Sequence, residues 1–168
     1  LLDARTGAWI RLPTTGVPPS ARFQHTAIAW TDAASGAAKM TIFGGMDASG
    51  FLNDVHTLNL VTGVWSGAVG TTGAAPSARF GHTAVAWTDA ASSGAAKMTI
   101  FGGSPGLNDV HTLNLVTNTW SGDVSTMGVK PPWRSYYTAV AWTDATVSGA
   151  AKMTIFGGKD ATDTSLND

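Results

Sequence analysis

The 168-residue sequence contains no cysteine and no glutamate. Without cysteine there is no disulfide-stapled fold, no thiolate metal site and no cysteine nucleophile. A protein with a large apolar core needs no disulfides even outside the cell, so the compartment stays open, with the cytosol favoured. All the acids are aspartates, and only 12% of residues are charged. Scarcity of Glu and Lys suits a chain with little helix. Lys and Arg number 10 against 11 acids, and they form no basic cluster. This argues against nucleic acid or an anionic membrane surface as an electrostatic partner. No apolar run reaches the roughly 18 residues that a membrane-spanning helix needs. There is no basic-then-apolar leader at Leu1, although the sequence opens inside a repeat and a leader could stand upstream of it.

What the sequence does contain is repetition. The run Lys39-Met40-Thr41-Ile42-Phe43-Gly44-Gly45 returns letter for letter at Lys97 to Gly103 and at Lys152 to Gly158. A lead-in segment precedes each copy, with Arg22-Phe23-Gln24-His25, Arg79-Phe80-Gly81-His82 and Arg134-Ser135-Tyr136-Tyr137 at equivalent positions. Each lead-in runs into Thr-Ala-(Ile/Val)-Ala-Trp. After a variable loop comes Leu52 to Trp65, repeated as Leu107 to Trp120. A long fixed period of this kind marks a repeat architecture whose units bury their faces against one another.

The repeated segments are short and rich in Val, Ile, Thr, Phe and Trp, and Gly, Pro, Asn and Asp gather between them, which is the strand and hairpin signature. No window sustains a 3.6-residue apolar period, so the expectation is all-β. Four antiparallel strands per repeat make one blade of a β-propeller. They fall at His25 to Trp30, Met40 to Phe43, Val55 to Leu60 and around Trp65. The first carries Ala27 and Ala29, with Ala84, Ala86, Ala139 and Ala141 in the other copies, and small side chains belong on the innermost strand, where neighbouring blades converge. At one turn position Gly7 and Gly63 exchange with Asn118, which predicts positive φ there.

These markers resemble those of the Kelch-repeat β-propellers. Arg22 and His25, with Arg79 and His82, open the first strand. The pairs Gly44-Gly45, Gly102-Gly103 and Gly157-Gly158 close the second, and Trp65 or Trp120 lies in the last. The resemblance implies one propeller domain over 1–168, of about three blade-equivalents. Residues 1–10 end a preceding blade, 18–66 and 76–121 form two whole blades, and 131–168 form the first half of another. It also implies a non-catalytic interaction module or scaffold that binds protein partners through loops on one face. A carbohydrate-binding or enzyme-associated propeller and a purely architectural subunit are the alternatives.

No catalytic, metal or cofactor site is expected. His25, His56, His82 and His111 form two repeat-equivalent pairs, and equivalent residues in packed sheets stand roughly 10 Å apart, too far to share one metal. Each is expected to pair with its own or the adjacent blade. Arg22, Arg79 and Arg134 are expected to tie carbonyls together between blades, against the alternative of a ring for an acidic peptide. Asp32, Asp89 and Asp144 read as turn-forming aspartates. Asn53-Asp54 and Asn108-Asp109 read as organisers of strand entry and not as calcium loops. The copper oxidases with Kelch-type propellers use a cysteine-crosslinked tyrosine, which this chain cannot form.

Difference between copies is where function is expected. The third lead-in replaces Ser-Ala by Pro132-Trp133 and follows Arg134 with Tyr136 and Tyr137, concentrating aromatics that serve interfaces well. Trp133, Arg134, Tyr136 and Tyr137, together with Phe51, Lys159 and Asp160 from the variable loops, are the candidate contact residues. Trp133 packing into the core is the competing reading. Since a closed propeller has about four to eight blades, the ring is completed either by further polypeptide of the same chain or by a second copy. The first is favoured, and under it the isolated chain should aggregate.

Overall fold

Among the residues that the computed structural model describes, 2–146 and 150–168, every element is a strand except one 3-10 turn at Ala90–Ser92. In chain order they are β1 (Leu2–Asp3), β2 (Ala8–Trp9), β3 (Thr15–Val17), β4 (Thr26–Thr31), β5 (Ala38–Asp47), β6 (Gly50–Asn59) and β7 (Val64–Ala68). There follow β8 (Thr72–Ala74), β9 (Thr83–Asp89), β10 (Ala95–Gly103), β11 (Leu107–Asn114), β12 (Thr119–Asp123), β13 (Thr138–Asp144) and β14 (Ala150–Phe156). The first sheet has the order β3-β7-β6-β5-β4 and the second β8-β12-β11-β10-β9, while β1–β2 and β13–β14 are two-stranded pairs.

Four strands of each large sheet are antiparallel and consecutive, as the repeat predicts. A fifth strand is added to these four at the outer edge. β3 pairs with β7 and β8 with β12 in parallel, so the segment leading into each repeat returns along its outer edge. Glycine makes this possible. Gly16 and Gly73 have φ of +81° and +76°, and a Cβ there would lie 2.3 Å from the Trp65 carbonyl oxygen and 2.2 Å from that of Trp120.

The second strand is also longer than expected. β5 does not stop at Gly44-Gly45 but passes through them to Asp47, with a bulge in its pairing to β6 between Phe43 and Gly45. β10 ends at Gly103 with the same register shift. The turn after β6 behaves as its Gly/Asn exchange predicts, with Gly63 at φ +71° and Asn118 at +55°.

The sheets meet along their first strands, β4 beside β9 and β9 beside β13. Ala84 and Ala86 lie on that seam against a core shared by the first two sheets, made of Ile28, Phe43 and Val55 on one side and Met98, Ile100, Leu113 and Trp120 on the other. Burying each large apolar side chain contributes about 1.5–3 kcal/mol. Each of the two large sheets also carries an internal polar ladder. Trp30 Nε1 donates to Thr41 Oγ1 (2.9 Å), which bonds Thr57 Oγ1 (2.9 Å) on the next strand. Trp87, Thr99 and Thr112 repeat the pattern at 2.8 and 2.8 Å.

Candidate functional site

One face of the molecule is built from the loops between second and third strands and from the lead-in segments. The arginines fix it. Arg79 Nη1 donates to the Gly102 carbonyl (3.0 Å), and its two terminal nitrogens clasp Asp109 at the start of β11 (2.6 and 2.8 Å). Arg22 holds Gly44 and Asp54 in the same way. Arg134 holds the Gly157 carbonyl (3.1 Å) and the Asp168 side chain (3.0 and 3.2 Å). A guanidinium suits this post because its planar fork of donors meets a carboxylate bidentately. His56 and His111 place Nε2 2.8 and 2.9 Å from the same aspartates. Burial by itself would raise the Asp109 carboxyl, but Arg79 and His111 outweigh it and hold it at about 2.

The backbones of Arg79 and Arg134 then join their sheets to the one before. Gly45 N donates to the Arg79 carbonyl (2.9 Å), Arg79 N to the Leu52 carbonyl (3.0 Å), and Gly103 N to the Arg134 carbonyl (3.0 Å). Asn53 and Asn108 add side-chain bonds to the Pro76 and Pro131 carbonyls. An acidic peptide finds no arginine ring here. Arg79 is 0% and Arg134 1% exposed, so Arg134 leaves the set of candidate contact residues.

Tyr137 leaves it as well. It occupies the position of His25 and His82, is buried, and donates its hydroxyl to the Phe101 carbonyl across the seam between the second and third sheets. Burial pushes its phenol up to about 12. At the same seam one sheet earlier, His82 Nε2 lies 2.8 Å from Thr26 Oγ1.

The remaining lead-in residues step across the face. Gln24, Gly81 and Tyr136 share positive φ, at 56°, 63° and 59°. Gly81 N donates to the Gln24 carbonyl and Tyr136 N to the Gly81 carbonyl, both at 3.0 Å. An aromatic residue in the left-handed region is strained. This conformation sets the Tyr136 ring 6.5 Å from that of Phe80, which in turn lies 4.8 Å from Phe51. Phe51, Phe80 and Tyr136 thus form one aromatic row across three repeats, with Phe51 and Tyr136 about half exposed.

Phe80 is the member that sequence reasoning missed, because as a counterpart of Phe23 it reads as a repeat marker. Its signal lay in the third copy, where Ser135 replaces it and Tyr136 supplies the ring one position later. Trp133 is half-buried beside Arg134. Lys159 pairs its backbone with Ser135 and its ammonium with Asp163 (2.8 Å). Asp160 accepts backbone bonds from Thr162 and Thr164, and so shapes its own loop. Trp120 is 3% exposed against Phe43, and Trp65 is half-buried on β7. Among the described residues no group of three or more His, Cys, Asp or Glu side chains is placed to hold a metal ion, and no helix is long and apolar enough to cross a membrane.

The repeated sheets, their Arg–Asp clasps and their glycine joints define a Kelch-type propeller, and comparison with known proteins agrees. Residues 1–148 match the family described as the KLHDC2/KLHL20/DRC7 Kelch-repeats domain. The chain belongs to the Kelch-repeat β-propeller family. It is 34% identical over 122 residues to Kelch domain-containing protein 1 of Mus musculus, covering 71% of this chain and 27% of that one. It is 33% identical over 177 residues to Host cell factor 1 of Homo sapiens, covering 94% of this chain and 8% of that one. The chain therefore spans about a quarter or less of the length of these curated relatives. A cryo-EM structure of RAG in complex with one melted and one unmelted RSS contains a chain that superposes with a TM-score of 0.66 at 16% identity, covering 90% of this chain and 47% of that chain. That likeness shows the fold alone.

The seam residue His82 gives a pH prediction. Burial first, then the charges of Arg79 and His25, lower its imidazole from 6.5 to about 3. A depressed histidine is neutral when folded, so its contribution to stability is complete above the unfolded value near 6.5 and is lost as pH falls toward 3. His82→Gln keeps a polar group toward Thr26 and does not titrate. The variant's stability should lose about one proton's worth of pH slope between 6.5 and 3, measured by urea unfolding across that range. An unchanged slope would show that His82 is protonated in the folded chain.

Proposed function

We propose that this chain is a non-catalytic protein-interaction module that binds its partner through the loop face, with Phe51, Phe80 and Tyr136 as the apolar centre and Trp133, Lys159 and Asp160 around it. The observation that carries this reading is the aromatic row. Three rings from three repeats touch on a surface whose arginines are all consumed inside the fold, and one of them is held there at a strained backbone angle. Rings of this kind bury a large area at small cost in rotamer freedom, which is what interface hot spots use.

The test compares the wild-type chain with Phe51→Ser/Tyr136→Ser as baits against the source proteome, read by quantitative mass spectrometry, with both chains also applied to a glycan array. Specific partners should fall at least about tenfold with the double variant while its melting temperature stays within a few degrees. Partners retained equally by both chains would refute the aromatic row. Tyr136-dependent glycan binding in the absence of protein partners would favour the carbohydrate-binding reading instead.

A further inference from the structure

The hairpins that rise from the loop face differ in height. In each repeat the residue after the lead-in arginine bridges the residue just past the double glycine: Phe23 pairs with Met46, Phe80 with Ser104 and Ser135 with Lys159. Above Gly45 and Leu52 the β5–β6 hairpin continues through two further pairs, Met46 with Phe51 and Asp47 with Gly50. The β10–β11 hairpin instead closes over Ser104-Pro105-Gly106 directly after Gly103 pairs with Leu107. At about 3.4 Å per residue, the first hairpin stands ~7 Å higher than the second. The third repeat again carries a longer loop, 160–164, beyond the bridge of Lys159 with Ser165. The second hairpin is therefore the floor of a saddle between two walls.

Phe80 stands at the low point, its backbone bonded to Ser104 and its ring between those of Phe51 and Tyr136. The walls carry charge mostly of one sign. The first has Asp47, and the other has Asp160 and Asp163 against Lys159. Asp47 accepts the hydroxyls of Ser20 and Ser49, which hold its carboxyl at about 2 and so ionised at neutral pH. Lys159 is spent on Asp163, whose side chain is still 80% exposed. The guanidiniums of Arg22, Arg79 and Arg134 lie beneath this surface, each at most 3% exposed and each on its own aspartate. Lys130, further out on the third lead-in, lies 3.9 Å from Asp123.

We infer that the saddle takes a basic linear peptide, with an apolar side chain seated on Phe51 and Phe80 and an arginine lying over Tyr136, its charge toward Asp160 and Asp163. The inference rests on the interaction face proposed above and names what that face selects. A cleft walled by two hairpins admits one extended segment. A cation over the face of an aromatic ring is attracted by the ring quadrupole, and a planar guanidinium stacks there as an ammonium does not. Carboxylates on both walls attract such a segment and repel an acidic one, since like charges brought together across an interface cost several-fold in affinity.

The probes are three libraries of peptides of about 12 residues with a central Leu, Phe or Trp, flanked by Arg in the first, Glu in the second and Ser in the third. They are panned against the wild-type chain, and the selected peptides are titrated by fluorescence anisotropy. The arginine library should supply the binders. Phe51→Ser/Tyr136→Ser should weaken them about tenfold or more, and Asp47→Asn/Asp163→Asn about threefold or more, with melting temperatures within a few degrees of wild type. Raising salt from about 50 to about 500 mM should weaken binding to the wild-type chain and narrow its lead over the aspartate variant. Glutamate or serine peptides that bind equally well, and depend on Tyr136, would overturn the basic selectivity and leave the interaction face standing. Arginine peptides indifferent to both double variants would overturn the two together. Failure of all three libraries to yield a binder would also overturn the inference, while the proteome capture still decides the face.

Discussion

Replacing Arg79 by alanine should lower stability by about 3–5 kcal/mol, the range found when one partner of a buried ion pair is removed. The substitution leaves the partly buried Asp109 carboxylate with the His111 imidazole still beside it but no guanidinium, and it removes the donor to the Gly102 carbonyl at the joint with the third sheet. Urea unfolding at pH 7 measures the loss. Arg79→Lys should fall in between, because an ammonium keeps the charge and loses the fork. The acid side gives an independent reading. In the wild-type chain Asp109 is held at about 2, so its contribution is present above the ordinary carboxylate value near 4 and is lost as pH falls through about 2. In Arg79→Ala that part of the acid dependence should disappear. A loss under about 1 kcal/mol at pH 7 would mean that the clasp is no more than a surface pair.

Gly102→Val should be the next most damaging change, and it acts on the backbone. Gly102 has φ +58°, and a Cβ there would lie 3.0 Å from the Leu107 carbonyl, 3.1 Å from the Tyr137 hydroxyl and 3.2 Å from the Arg134 carbonyl. A β-branched residue in the left-handed region costs about 1–3 kcal/mol locally. Displacing the Arg134 carbonyl also weakens its bond with Gly103 N, and an unsatisfied buried group costs a further ~1–3 kcal/mol. The measurement is thermal unfolding beside Gly128→Val, where φ is also positive but no atom lies within 4 Å. Equal losses at the two sites would show that strain alone matters and that the contact between sheets contributes nothing.

Sequence reading reached the architecture because each strand is announced by its own residues. Thr-Ala-Val-Ala-Trp and Lys-Met-Thr-Ile-Phe are β-rich, local and repeated. The outer parallel strands were not legible. Thr15-Gly16-Val17 and Thr72-Gly73-Ala74 have glycine at their centres and pair with strands nearly fifty residues away, so neither propensity nor alternation marks them. For the candidate contact residues, composition singled out one segment, and burial divides it. Tyr136 and Tyr137 are adjacent and both aromatic, but one occupies the left-handed lead-in position facing Phe80 and the other the buried histidine position. Only the three-dimensional alignment of the copies separates them. The partnership of Arg79 with Asp109, thirty residues apart, was hidden for the same reason, since charge alone does not say which aspartate a guanidinium reaches.

The joint between sheets, in which an arginine carbonyl of one repeat receives the second glycine N–H of the repeat before it, has the same chemistry wherever it occurs along the chain. Such a molecule behaves as a linear lattice, its stability a sum of unit terms and nearest-neighbour couplings. Unequal crossing-over between two repeats of the gene would therefore delete or duplicate one whole unit and leave every surviving junction already matched, so that repeat number can change by recombination without any new interface having to arise.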